Sequence, residues 1–279
     1  MSQPARFAWL VLAHADAAQL RALVDRLAPP GGPDFAVVHL DAKSPLWRET
    51  RGAFLTPRPE LAVIPRPVAV RWGHNSQVAA TRLLLAEALR RPFTMAHLVS
   101  GADWPLAAPE AMIPAPAQDC CIEAAPALQA ERMERLRLDA RCLRPDPAKP
   151  WLYYPARALR ALSRLLPPRR VRPWGEWHKG SQWWSLPRDV CAAILPELDR
   201  AFAQGRLAGT VCADEHLIQT IVAQRFAQRI APGNRRFIRW DGQSSPQVLT
   251  AADWPEAEAS GAWLARKVSR EHDPFFLAQ

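Results

Sequence analysis

Apolar and polar positions recur along this chain on two periods, and the elements follow from them. Residues 7–12 form an unbroken apolar run, the pattern of a strand buried on both faces, and it ends at His14. Asp16 stands where a helix N-cap would. Leu20, Leu23, Val24 and Leu27 follow at helical spacing, until Pro29-Pro30-Gly31-Gly32-Pro33 stops the helix. Residues 35–40 are a second buried strand closed by Asp41, and 61–64 a short third. Strand, helix, strand at this spacing predicts a βαβ unit, hence a parallel sheet with a right-handed crossover.

The rest of the chain continues the alternation. Arg71-Trp72-Gly73-His74-Asn75 is a polar loop before a helix that Asn75 or Ser76 would cap, with Leu84, Leu85, Ala88 and Leu89 as its buried stripe. Residues 96–100 read as a strand running into Gly101-Ala102-Asp103-Trp104-Pro105. The acid at that strand end is either a site residue or a turn former. Residues 118–123 are a further strand candidate, 189–202 a helix and 236–240 a strand. Between the last two, Cys212-Ala213-Asp214-Glu215-His216 leads into Leu217, Ile218, Ile221, Val222 and Phe226, all on one helical face. This places Asp214 and Glu215 in a first helical turn, where unpaired N–H groups favour an ionised carboxylate. A carboxylate fixed on a rigid element suits general-base work, and the plainer reading is a helix cap.

Composition narrows the class. The chain has 279 residues, and its pattern predicts one domain over 1–279 with an excursion at 131–179. That excursion holds eleven arginines between Arg132 and Arg172, among them Arg144 and Arg170, and is broken by prolines, Pro145 and Pro147 included. A solvated basic face is the plain reading, with a lid, an acceptor-binding flap or a membrane-surface patch as the functional ones. Twenty-eight prolines against twelve glycines stiffen the loops. Twelve tryptophans favour a site that stacks sugars or bases. A net charge of +9 calls for an anionic partner. Five cysteines, Cys120, Cys121, Cys142, Cys191 and Cys212, form no CxxC pair and fit reduced thiols in the cytoplasm. The apolar run after Arg6 is short for a signal peptide, and no run approaches the ~18 residues of a membrane span. The expected location is therefore cytoplasmic, with peripheral attachment at the inner membrane face as an extension of the basic character.

Several chemistries lack their motifs. There is no P-loop, GxGxxG, GxSxG, HExxH or Cys/His cluster, and no Asp-x-Asp follows a strand. No metal site and no cofactor is expected. If a diphosphate is handled, cationic side chains must take a metal's place. A nucleic-acid-binding module is the alternative that charge favours, yet no helix-turn-helix, RRM or zinc signature supports it, and no nucleic-acid partner is expected.

Six segments in order carry a resemblance: His39-Leu40-Asp41, Arg71-Trp72-Gly73, the run from Leu98 to Leu106 containing Ser100-Gly101-Ala102-Asp103-Trp104-Pro105, Gly180-Ser181-Gln182-Trp183-Trp184, Asp214-Glu215-His216, and Ala265-Arg266-Lys267. Together they resemble the core-2/I-branching glycosyltransferases, a family that includes β-1,6-N-acetylglucosaminyltransferases and protein O-xylosyltransferases. The short Leu264-Ala265-Arg266-Lys267 closure and the Gly180-Ser181-Gln182-Trp183-Trp184 segment look closest to the xylosyltransferase branch and its bacterial relatives. The resemblance implies a GT-A-like α/β fold, Rossmann-like, with a mixed, mainly parallel sheet between helices. It implies inverting transfer of N-acetylglucosamine or xylose from a UDP-sugar, without metal, to a glycan, lipid-linked or protein acceptor. It makes Glu215 the general base and puts Arg266 and Lys267 at the diphosphate. His14, Asp41 and Arg71 fall on the nucleotide side, and Asp103, Trp104, Trp183 and Trp240 on the acceptor side. Ser244 stands where the N-acetylglucosaminyl branch has a further phosphate-binding arginine. A relative that binds a glycan without catalysis is the other alternative.

Overall fold

The computed structural model describes all residues except 1–6, 116, 142–147, 170–171, 243–244 and 279. Arg6, Cys142, Arg144, Pro145, Pro147, Arg170 and Ser244 thus lie outside the described residues.

Strand β1 (Phe7–Ala13) passes into helix α1 (Ala17–Leu27), then β2 (Phe35–Leu40), α2 (Pro45–Thr50), β3 (Leu61–Val63), α3 (Ser76–Ala88) and β4 (Met95–Ser100). Short strands β5 (Asp103–Pro105) and β6 (Ala125–Pro126) follow, then helices α4 (Glu131–Glu134) and α5 (Pro150–Ser163), and strands β7 (His178–Lys179) and β8 (Ser185–Pro187). The chain ends through α6 (Arg188–Ala203), α7 (Leu217–Arg225), β9 (Arg236–Ile238), α8 (Trp254–Ala259) and β10 (Leu264–Arg266). The main sheet runs β3-β2-β1-β4-β8, parallel except for the β4–β8 pair. The protein is a mixed α/β fold with a mainly parallel sheet flanked by helices.

Every residue of β2 and β4 is buried, as their largely apolar sequences favour. One apolar cluster joins Leu84 and Leu85 of α3 to Ile194 and Leu198 of α6 and Ile218 and Ile221 of α7. The other cluster packs Leu20, Leu23 and Val24 of α1 with Leu264 and Ala265 of β10. The predicted cap of α1 forms: the Gln19 N–H donates to Asp16 Oδ1 at 2.9 Å. The cap of α3 does not. Asn75 makes no capping bond, and Ser76 Oγ instead accepts from the Arg71 N–H at 2.9 Å, folding the polar loop onto the helix start.

Two expected elements change. Residues 118–123 form no strand of their own, and Cys120 and Cys121 make only isolated bridges to Ile230 and Ser185. Asp214 and Glu215 do not begin α7. They sit in a separate 3-10 turn, Ala213–Glu215, and α7 starts at Leu217. Cys212, with φ 52°, turns the chain just ahead of them, and its N–H donates to Gly73 O at 2.7 Å. That left-handed turn is a strained conformation for a residue with a side chain.

Candidate active site

The parallel strands β1, β2 and β4 deliver their C-terminal ends to one edge of the sheet. In α/β sheets this edge is where ligands bind. The Asp41 N–H donates to Ala13 O and the Gly101 N–H to Leu12 O, both at 2.9 Å, so the three strand ends are tied side by side. His14 is exposed there. Asp41 is buried, and its Oδ1 accepts from the N–H groups of Lys43 at 3.1 Å and Val70 at 3.0 Å. His39 Nε2 accepts from the Val68 N–H, and burial pushes its pKa down to about 4, so the ring is neutral. These bonds carry residues 68–71 across the end of β2 and bring Arg71 to the same edge.

The turn with Glu215 is tied to the polar loop, where the Cys212 N–H donates to Gly73 O at 2.7 Å. The Gly180 N–H donates to Glu215 O at 2.9 Å, and Gln219 Nε2 donates to Ser181 O at 2.7 Å and to Asp214 O at 3.1 Å. Gln77 of α3 bridges the polar loop to the same segment: its Oε1 accepts from the Gly73 N–H at 2.6 Å, and its Nε2 donates to Gln182 Oε1 at 3.2 Å.

Glu215 is partly exposed, with 30% of its side chain open. Arg132 Nη1 lies 2.8 Å from its Oε2 and Lys179 Nζ 3.7 Å from the same oxygen. Both cations hold Oε2, and Oε1 accepts no hydrogen bond among the described residues. The neighbouring Asp214 is buried, its Oδ1 without a partner. Burial, then the charge of Glu215, pushes its pKa up to about 7. The pair thus divides into an open, cation-held carboxylate and a buried one that keeps its proton at mildly acid pH.

Arg266 lies across the sheet edge in β10, paired in register with Asp103 of β5. Its guanidinium bonds Ser100 Oγ and, at 2.6 Å, Asp103 Oδ1, and stacks 4.1 Å above the Trp183 ring. Lys267 follows and donates to Ser245 Oγ. Trp183 thus joins the two halves: Gly180 holds Glu215 and Trp183 holds Arg266, three residues apart and within about 10 Å of extended chain. Buried Gln19 anchors the basic segment, donating to Gly101 O and Val268 O at 2.9 Å each and accepting from the Arg270 N–H at 2.8 Å.

The acceptor-side expectations divide. Trp240 is 61% exposed and suits stacking. Asp103 and Trp104 do not present an acceptor surface: both are buried, and Asp103 is engaged by Arg266, the Ser100 N–H and Ser100 Oγ. Asp103 is therefore the counter-ion that fixes Arg266, and Trp183, also buried, is its stacking platform.

The structure also adds residues that sequence reading passed over. Arg132 and Lys179 both come from the excursion, which is more than a solvated basic face. Arg137 and Arg160 likewise clamp a buried Asp139 at 2.7 and 3.1 Å. The 83 positions separating Arg132 from Glu215 hide the contact from any local pattern. Among the described residues no three His, Cys, Asp or Glu side chains gather as metal ligands do.

No curated protein sequence matches the chain. Among solved structures it is similar to 4-diphosphocytidyl-2C-methyl-D-erythritol synthase from Anaerococcus prevotii, at 9% identity over 71% of this chain and 76% of that one, with a TM-score of 0.31. That likeness is too weak to speak to chemistry. The family model of the core-2/I-branching enzymes matches residues 7–261. The chain belongs to the core-2/I-branching enzyme family, and with it to the glycosyltransferases.

Proposed function

We propose that this glycosyltransferase moves N-acetylglucosamine or xylose from a UDP-sugar to an acceptor hydroxyl with inversion, using no metal, with Glu215 as general base. The observation that carries this reading is Glu215 Oε1, which accepts no hydrogen bond among the described residues on a partly exposed side chain. The carboxylate is fixed through Oε2 by Arg132 and Lys179, and Lys179 leads directly into the segment whose Trp183 stacks on Arg266.

In this reading the acceptor hydroxyl gives its proton to Glu215 Oε1. The freed oxygen attacks the anomeric carbon from the face opposite the nucleotide, and the bond from that carbon to the diphosphate breaks. Negative charge then grows on UDP, where Arg266 and Lys267 receive it through charge-assisted hydrogen bonds. Asp103 and Trp183 hold the Arg266 guanidinium in place before substrate arrives, so little reorganisation remains. His14, Asp41 and Arg71 line the nucleotide side, and Trp240 offers a ring for a glycan, lipid-linked or glycosylated-protein acceptor.

The test is UDP release from UDP-N-acetylglucosamine and UDP-xylose, with and without a chelator. Turnover is expected to survive the chelator, and Glu215→Gln to lose about 10²–10⁴-fold in rate while UDP affinity by calorimetry stays unchanged. Near-normal turnover of Glu215→Gln, or loss of turnover on chelation, would overturn the respective half of the mechanism.

A further inference from the structure

Helix α5 turns its apolar face the wrong way for a core helix. In α1 the large apolar residues Leu20, Leu23, Val24 and Leu27 are all buried. In α5 only Ala156 and Ser163 are buried. Trp151, Leu152, Tyr154, Leu159 and Leu162 are exposed, as is Leu165 in the turn that follows, at 70%, 46%, 66%, 36%, 51% and 81%. At helical pitch these six fall on one stripe about 160° wide. Arg157, Arg160 and Arg164 fall on the opposite flank, and all three are exposed. The helix is amphipathic; the body of the protein leaves its apolar stripe uncovered, and it engages the basic flank through Arg160, which reaches buried Asp139.

Charge tells which occupant fits. Between Asp146 and Glu176 the chain contains no acidic residue. A second copy laid stripe to stripe would cover the leucines and leave Arg157 and Arg164 of the opposite flank without an anionic partner. A nucleic acid would meet the arginines but has no use for a row of leucines. An anionic lipid surface meets both. Its headgroup phosphates suit the guanidinium groups, its acyl boundary takes the leucines, and Trp and Tyr favour the interface between the two.

We propose that α5 is an interfacial helix that seats this protein on an anionic lipid bilayer. Trp151, Tyr154, Leu162 and Leu165 enter the headgroup–acyl boundary, and Arg157 and Arg164 pair with lipid phosphates. No helix among the described residues is long and apolar enough to cross a membrane, so attachment through α5 is in-plane.

The experiment is co-sedimentation of the full chain with vesicles of phosphatidylcholine containing phosphatidylglycerol, and with phosphatidylcholine alone. Light scattering gives the oligomeric state in parallel. The chain is expected to bind the anionic vesicles, to bind the neutral ones at least about tenfold less, and to be released by salt. Trp151→Glu with Leu165→Glu, both on exposed positions, should lose about tenfold or more in anionic-vesicle binding with an unchanged circular dichroism spectrum. Absence of binding to the anionic vesicles, equal binding to the neutral ones, or unchanged binding by the double variant would overturn the proposal. A wild-type dimer that the double variant dissolves would also overturn it, because the stripe would then belong to a second copy.

Discussion

Glu215 and Asp214 are adjacent carboxylates with opposite fates, and the difference lies in what surrounds each. Glu215 has two cations and water. Asp214 is buried and faces the charge of Glu215, and these outweigh the pull of the same two cations, Arg132 and Lys179. A carboxyl whose pKa rises from the ordinary 3.8 to about 7 on folding binds its proton more tightly in the folded chain than in the unfolded one. Between those values the folded state holds the proton and the unfolded state has lost it, so this group's contribution to stability falls as pH rises from about 4 to about 7. Asp214→Asn removes that dependence. The variant is expected to gain a few kcal/mol relative to wild type at pH 8 and little at pH 4, as read from urea unfolding at both pH values. Equal effects at the two pH values would show that Asp214 ionises normally.

At the scale of elements, the segment from Gly180 to Trp184 connects the two chemical halves of the site, and its first residue shows how closely it is packed. A Cβ on Gly180 would lie 1.9 Å from Glu123 O and 2.5 Å from Glu123 C, both backbone atoms that cannot swing away. The segment can approach the chain at Glu123, and so offer its N–H to Glu215 O, only with glycine there. Gly180→Ala is expected to cost about 3 kcal/mol or more by thermal unfolding, and to reduce turnover in the fraction that stays folded because Glu215 shifts. Wild-type stability in that variant would mean the contact is slack. Gly180 stands within a sequence motif, yet nothing local reveals the crowding, because Glu123 is 57 positions away.

At the scale of the whole molecule, buried Gln19 ties the start of α1 to Gly101 after β4 and to Val268 just beyond Lys267, a span of 249 positions. Gln19→Leu keeps the volume and leaves two carbonyls and the Arg270 N–H without their partner. It should cost about 2–4 kcal/mol and raise the donor KM more than it lowers kcat, because the basic segment loses its anchor. A fall in kcat with KM unchanged would place the effect elsewhere. The sequence was informative wherever the physics is periodic or adjacent in the chain. An unbroken apolar run predicted β1, and largely apolar runs predicted β2 and β4, because strands buried on both faces show few polar positions, here His39, His97 and Ser100. Helical spacing located α1, α3, α6 and α7, and the acidic turn at 214–215 and the basic pair at 266–267 stood out as charges beside apolar runs. Tertiary structure alone decided what those charges meet. It sent Arg132 and Lys179 to Glu215, gave Asp103 to Arg266 instead of to an acceptor, detached Glu215 from α7, and left the stripe of α5 uncovered. Each of these outcomes is a contact, or the lack of one, between segments tens to hundreds of residues apart. Coulomb attraction and burial depend on distance in space, which local sequence patterns do not record.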